Sequence, residues 1–152
     1  MIKIMFVCFG NICRSPMAEF VMRDMVEKAG LTDKIHIASS ATSTCEIGNR
    51  VHRGTREKLA EKGISTEGKV SMKFEKPHYD MYDYIIGMDS MNIRDILKIT
   101  GGDKDGKISK LLSFAGEEGD IADPWYTHNF DVTYDDVVRG CTGLLNKLKT
   151  EI

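Results

Sequence analysis

Residues 2–16 read Ile-Lys-Ile-Met-Phe-Val-Cys-Phe-Gly-Asn-Ile-Cys-Arg-Ser-Pro, and this stretch joins three local signals. The apolar, β-branched run over residues 2–7 predicts a buried central strand, because parallel strands covered on both faces are continuously hydrophobic. Gly10 interrupts this run, and Ser15 directly before Pro16 is typical of a helix N-cap followed by the first helical residue. The stretch therefore predicts a strand, a tight loop and a helix.

The apolar pattern continues with the period of a helix up to Gly30, with charged residues on the opposite face. Strand and helix signals then alternate along the chain. Further strands are predicted over residues 35–41, 84–88 and, at the sheet edge, 107–114, and further helices over about 54–62, after a cap at Asp89 or Ser90, and along 137–148. This alternation predicts an α/β fold whose parallel sheet is covered on both faces.

Length and composition favour a single compact domain over residues 1–152. With 152 residues, of which 41% are hydrophobic, the chain can bury one core but is short for two ordinary domains. Its 21 basic and 23 acidic side chains give a net charge of -2. We therefore expect neither nucleic acid nor a membrane surface as a partner.

The N-terminus and the cysteines indicate a cytoplasmic protein. The first apolar run stops at Gly10 and Asn11, which is too short for a secretion signal or a membrane span. Neither a zinc-binding pair nor a disulfide scaffold is formed by the four cysteines, which are Cys8, Cys13, Cys45 and Cys141. Reduced thiols are therefore expected.

The loop between the first strand and the first helix has the residues of a phosphate-binding cup. Its N–H groups can converge on a tetrahedral oxyanion below the positive end of the helix dipole. Gly10 and Asn11 tolerate the left-handed turns that such wrapping needs. The helix N-terminus and the Arg14 cation favour the thiolate form of Cys8, to which the Ser15 hydroxyl can donate. Arg14 can also bind two phosphate oxygens with its planar guanidinium.

A lone cysteine is more often a buried and inert packing residue. Here, however, Cys8, Arg14 and Ser15 occur together between a strand and a helix, which favours a nucleophile in a phosphate site. The stretch is Val7-Cys-Phe-Gly-Asn-Ile-Cys-Arg-Ser-Pro-Met-Ala-Glu19, and it closely resembles the signature of the low-molecular-weight protein tyrosine phosphatases.

Further matches to this family lie at residues 39–44, 46–49, 83–89 and 123–126, so the resemblance covers nearly the whole chain. It implies a single α/β domain with a four-stranded parallel sheet, helices on both faces, and the phosphate-binding loop after strand 1. It also implies hydrolysis of phosphotyrosine or small aryl phosphates through a cysteinyl phosphate on Cys8.

The departing oxygen of such an ester needs a proton, and Asp123 is the candidate donor. Pro124 stiffens its loop, and Trp125 and Tyr126 can wall the entrance and stack against an aromatic ring. An Asp-Pro pair alone is more often a turn. The resemblance assigns Asp123 as the general acid, because the family has its acid in this Asp-Pro-aromatic motif.

The resemblance also assigns the residues around this centre. It makes Asn11 a loop organiser that hydrogen bonds with Ser39, and Asp89 a second carboxylate that supports the loop. Cys13 matches the family's second loop cysteine, which can form a reversible disulfide with Cys8 under oxidation. The expected phosphate- and substrate-binding residues are Phe9, Gly10, Asn11, Ile12, Cys13, Ser15, Cys45, Trp125 and Tyr126.

Three departures from the family pattern stand out. The family's histidine after the second helix is missing, since the aligned residues 67–69 read Glu-Gly-Lys. Trp125 stands where tyrosine is common in animal members, and Cys45 occupies a position that is often aromatic. The missing histidine removes one contact that supports the site in the family. The changes at Trp125 and Cys45 concern the rim of the pocket, and we expect them to alter substrate preference and to leave the chemistry intact. Cys141 lies on the apolar stripe of the last helix and is expected in the core.

Three alternative functions stay open on the sequence. An arsenate reductase has the same cup but needs two further cysteines near it, and residues 87–92 contain none. The resemblance implies that a phosphoarginine phosphatase of this family carries threonine where this loop has Ile12. A non-catalytic phosphate-binding module has no use for a reactive thiol or an acid, yet both Cys8 and Asp123 are present.

No metal or other cofactor is expected, because Arg14 and the loop amides supply the positive field and no Asp/His cluster has ligand spacing. The expected partner is a phosphotyrosine-containing protein or an aryl phosphate. Phosphate and vanadate-like oxyanions are expected to inhibit.

Overall fold

A four-stranded parallel sheet organises the chain in a computed structural model that describes residues 1–152. Its strands are β1 (Ile2–Cys8), β2 (Ile35–Ala41), β3 (Tyr84–Gly87) and β4 (Ile108–Lys110). The helices are α1 (Arg14–Lys28), α2 (Arg53–Ala60), α3 (His78–Met81), α4 (Ser90–Thr100), α5 (Pro124–Thr127) and α6 (Phe130–Lys149), and a 3-10 helix follows β4 at Leu111–Ala115.

β1 lies inside the sheet, whose strand order is β2-β1-β3-β4. It pairs with β2 from Ile2 to Cys8 and with β3 from Ile4 to Val7, always in parallel. The predicted parallel sheet is therefore confirmed. Because ligands bind at the carboxyl ends of such strands, the position of Cys8 at the end of β1 places the loop that follows at the functional edge.

Both faces of the sheet are covered, as predicted. Ile4 and Phe6 of β1 belong to a large apolar cluster with α1 and α6, while Met5 and Val7 point into a smaller cluster on the opposite face. This follows from the two-residue period of a strand. All four side chains are at most 3% exposed, which explains the unbroken apolar run in the sequence.

The start of α1 differs from the prediction. The N-cap is Cys13, which makes no side-chain capping bond, and Ser15 lies inside the first turn. The prediction that Ser15 caps this helix is therefore wrong. Its hydroxyl is held instead by Asn11 and lies against the sulfur of Cys8, so a tertiary contact overrides the local capping preference.

The predicted edge strand over residues 107–114 is only partly formed, because β4 ends at Lys110 and the chain turns into the 3-10 helix beneath α6. Gly143 of α6 permits this close packing. A Cβ atom on Gly143 would lie 1.9 Å from the carbonyl oxygen of Phe114. The chain cannot stay extended here without losing this contact.

The C-terminal helix α6 begins at Phe130, ahead of the apolar stripe that was predicted along residues 137–148. Asn129 caps it by accepting a hydrogen bond from the Val132 N–H. Cys141 lies in the core, as predicted, and burial raises its pKa well above the usual range. None of the helices combines the length and the apolar character that crossing a membrane requires.

Candidate active site

The loop after β1 wraps around the sulfur of Cys8. Asn11 takes a left-handed conformation with a φ of 55°, which asparagine tolerates better than most residues. Gly10 does not adopt a left-handed conformation, so the predicted need for one at this position is wrong. A Cβ on Gly10 would instead lie 3.4 Å from the side chain of Glu46.

Three polar groups of the loop surround the Cys8 sulfur. The backbone N–H groups of Asn11 and Ser15 donate to it over 3.3 Å and 3.4 Å, and the Ser15 hydroxyl lies 3.1 Å away. The residue is only 3% exposed. Donors that converge on a sulfur at a helix N-terminus favour its anionic form.

A buried polar network holds this loop in place. The Asn11 side-chain amide donates to the hydroxyls of Ser15 (2.7 Å) and Ser39 (2.9 Å), which brings together the residues that the family pattern pairs. The Ser39 hydroxyl in turn donates to the carboxylate of Glu19 over 2.5 Å. Each of these polar side chains has a hydrogen-bond partner, so the network stabilises the conformation of the loop.

Lys69 closes this network, and the sequence did not reveal it. Its ammonium donates to the Ser39 carbonyl over 2.8 Å and lies 3.5 Å from Glu19. Burial lowers the pKa of Lys69, while the neighbouring Glu19 carboxylate opposes this shift. The segment that lacks the family histidine therefore supplies a buried cation behind the loop.

Arg14 is a buried cation held between two carboxylates. One nitrogen, Nη1, donates to Asp89 over 2.6 Å and to the carbonyl of Ile121 over 2.9 Å, and Nη2 lies 3.6 Å from Asp123. Burial opposes its charge, but the negative charges at Cys8, Asp89 and Asp123 outweigh burial and raise the pKa of Arg14. Asp89 is itself fixed as the N-cap of α4.

A cavity of about 170 Å³ opens above the loop. Its lining residues come from the Cys8 loop, the segment around Cys45 and the start of α5: Cys8, Phe9, Gly10, Ile12, Cys13, Arg14, Cys45, Glu46, Asp123, Trp125 and Tyr126. Nearly all predicted substrate-binding residues line it, whereas Asn11 and Ser15 lie buried behind it. Glu46 was not predicted, although the sequence match at residues 46–49 contains it.

Asp123 is the N-cap of α5 and lines this cavity. One carboxylate oxygen accepts a hydrogen bond from the Trp125 N–H over 3.1 Å, and the other faces Arg14. Pro124 occupies the first turn of α5, as expected for a stiffened loop. The motif therefore forms a helix cap and also places a carboxyl group on the cavity wall.

Cys13 and Cys45 also line the cavity but differ from Cys8. Burial, followed by the negative charge at Cys8, raises the pKa of the Cys13 thiol far above its usual range. Cys45 is exposed at the rim, with its sulfur 3.1 Å from the Ser43 hydroxyl. All four cysteines are free thiols.

A wider, open cleft of about 670 Å³ lies elsewhere, beside Arg50, Arg56 and residues 63–69. It contains neither cysteine nor histidine. No group of three or more His, Cys, Asp or Glu side chains is arranged to hold a metal ion.

A cysteine among converging amide donors, an arginine six residues later and a carboxyl on the facing wall define a cysteine-dependent phosphatase on an α/β sheet. Residues 3–152 match the sequence model of the family described as low molecular weight phosphotyrosine protein phosphatase. The chain belongs to this family, whose members are hydrolases with a cysteine nucleophile.

Relatives support this assignment over nearly their full length. The chain is similar to the low molecular weight protein-tyrosine-phosphatase YfkJ of Bacillus subtilis, with 39% identity over 99% of this chain and 98% of that protein. It is 40% identical to PtpA of Staphylococcus aureus over 96% and 93% of the two chains. The crystal structure of YfkJ superposes with a TM-score of 0.96, covering 99% of this chain and 96% of that one.

Proposed function

We propose that residues 1–152 form one phosphatase domain that hydrolyses phosphotyrosine in proteins, and small aryl phosphates, through a cysteinyl phosphate on Cys8. The observation that carries the proposal is the convergence of two backbone N–H groups and the Ser15 hydroxyl on the Cys8 sulfur at the floor of an aromatic-walled cavity. Such a cup binds an oxyanion and activates the thiol with the same donors.

In the first step the Cys8 sulfur attacks phosphorus, so an S–P bond forms while the bond from phosphorus to the phenolic oxygen breaks. Arg14 and the loop N–H groups stabilise the negative charge on the phosphoryl oxygens. Asp123 gives its proton to the departing oxygen, and tyrosine leaves. For this role the carboxyl of Asp123 has to carry a proton in the enzyme–substrate complex.

In the second step a water molecule attacks the phosphorus of the cysteinyl phosphate. Asp123, now ionised, accepts a proton from this water, following the acid and base logic of double displacement. The S–P bond breaks, its electron pair returns to sulfur and inorganic phosphate leaves. One carboxyl group thus serves both steps.

The walls of the cavity favour an aromatic ester. Phe9, Trp125 and Tyr126 line the cavity and are all exposed, with exposed fractions of 48%, 49% and 78%. Exposed aromatic rings next to a phosphate cup can stack on a phenyl ring. Since the mechanism needs a free Cys8 thiol, a reducing compartment such as the cytoplasm suits the protein.

Turnover of two matched peptides tests this activity. We expect phosphate release from a phosphotyrosyl peptide to exceed that from the same peptide with phosphoserine by about 10²-fold in kcat/KM, because only the aromatic ester contacts the walls. Malachite-green detection of phosphate measures both rates. Equal rates on the two peptides would contradict selection of aromatic esters.

Alkylation tests the thiolate proposal independently of turnover. At about pH 6 we expect iodoacetate to modify Cys8 faster than Cys45, although Cys45 is far more exposed, because the anionic sulfur is the reactive species. Inorganic phosphate or vanadate should slow modification of Cys8 and leave that of Cys45 unchanged. Peptide mapping by mass spectrometry separates the two sites, and preferential labelling of Cys45 would count against the proposal.

A further inference from the structure

His52 lies where the catalytic loop, the acid loop and two helices meet. Its ring stacks on Phe130 with centroids 5.3 Å apart and planes inclined by 16°. The same ring makes a T-shaped contact with Trp125, with centroids 5.6 Å apart and an interplanar angle of 77°. His52 is thus in contact with the residue two positions after Asp123.

The backbone around His52 is fixed to the catalytic loop. The His52 N–H donates to the carbonyl of Ile12 over 2.8 Å, and the buried Thr55 hydroxyl donates to the carbonyl of Cys13 over 3.1 Å. The segment that carries the ring therefore cannot move independently of the loop that holds Cys8.

The orientation of the ring is also determined. His52 is the N-cap of α2, and its Nδ1 accepts a hydrogen bond from the Gly54 N–H over 3.0 Å. A Cβ on Gly54 would lie 2.3 Å from the ring of Phe130, so a glycine is needed to admit Phe130 against His52. An ion pair of 2.8 Å between Lys58 and Asp131 joins the same two helices.

A short chain of contacts leads from this ring to the acid. The ring packs on Trp125, and the Trp125 N–H donates to the carboxylate of Asp123 over 3.1 Å. We propose that His52 is a positioning residue that holds Trp125, and through it the Asp123 carboxyl, at its place opposite Cys8. This inference rests on the proposed acid role of Asp123.

Two substitutions separate the contact with Trp125 from the capping of α2. His52→Asn keeps a good N-cap acceptor but removes the aromatic contact, whereas His52→Phe keeps a ring and removes the acceptor. Arg53→Ala is the matched control, because Arg53 is the neighbouring residue and its side chain is 79% exposed.

The experiment measures kcat/KM for a series of aryl phosphates whose phenols range from good to poor leaving groups. We expect His52→Asn to lose about tenfold on phenyl phosphate and phosphotyrosine and little on p-nitrophenyl phosphate, because only poor leaving groups need a well-placed proton. His52→Phe and Arg53→Ala should both keep the leaving-group dependence of the native protein. Of these two variants, only His52→Phe should have a lower midpoint of urea unfolding, because it loses the acceptor that caps α2.

A uniform loss across all leaving groups in His52→Asn would overturn the inference. Such a loss would mean that the substitution disturbs the Cys8 loop and not the position of the proton donor. A steeper dependence in His52→Phe would overturn it as well. Asp123→Asn is measured in the same series. If Asp123→Asn leaves the dependence unchanged, the proposed acid role fails; if it steepens the dependence and His52→Asn does not, only the role of His52 fails.

Discussion

Replacing Cys8 by serine is expected to lower phosphotyrosine turnover by a factor on the order of 10⁴ or more, because a neutral hydroxyl is a poor nucleophile at this position. The two side chains are close in size, and the donors that surround the sulfur belong to Asn11 and Ser15. The cup should therefore persist, and phosphate or vanadate should still raise the melting temperature of the variant.

Cys13→Ser is the matched control for this experiment. Cys13 is 4% exposed and lines the same cavity, but burial raises the pKa of its thiol and so disfavours the nucleophilic thiolate form. We expect this variant to keep most of its turnover. Substantial activity in Cys8→Ser would exclude the assignment of Cys8 as the nucleophile.

The central strand and the chemical residues of the first loop could be predicted because their signals are local. β1 is buried on both faces, so its apolar run is unbroken, and Cys8, Arg14 and Ser15 lie within eight consecutive residues between the end of this strand and the start of α1. The family pattern then supplied Asp123 from a distant segment. The structure places this carboxyl 3.6 Å from Arg14.

The sequence did not reveal residues whose relevance depends on tertiary contacts. His52 stands in a segment without a recognisable pattern, while Glu46 and Lys69 lie in stretches that align with the family but suggest no role for them. All three reach the site only because residues 46–72 fold around the loop. The two four-residue helices α3 and α5 were also missed, since a single turn is too short to show a helical period. Ser15 was misjudged for the opposite reason, because a strong capping signal was overridden by the sulfur nearby.

Asp123→Asn is the second substitution with a large expected effect. We expect kcat/KM for phosphotyrosine to fall by about 10²- to 10⁴-fold, because an amide has no proton to give to the leaving oxygen. For p-nitrophenyl phosphate, whose phenolate leaves unaided, the loss should be far smaller. Asparagine can still accept the Trp125 N–H, so the cap of α5 should remain.

The maximal rate adds a second, independent signature of Asp123. Every aryl phosphate yields the same cysteinyl phosphate. Where the hydrolysis of this intermediate limits turnover, kcat in Asp123→Asn should therefore fall by the same factor for all substrates. Asp120→Asn provides the control, because this nearby carboxylate bonds with Lys110 and Ser90 outside the cavity. A proton donor contributes more when the leaving oxygen is more basic. An equal fall of kcat/KM for good and poor leaving groups in Asp123→Asn would therefore mean that the acid is another residue.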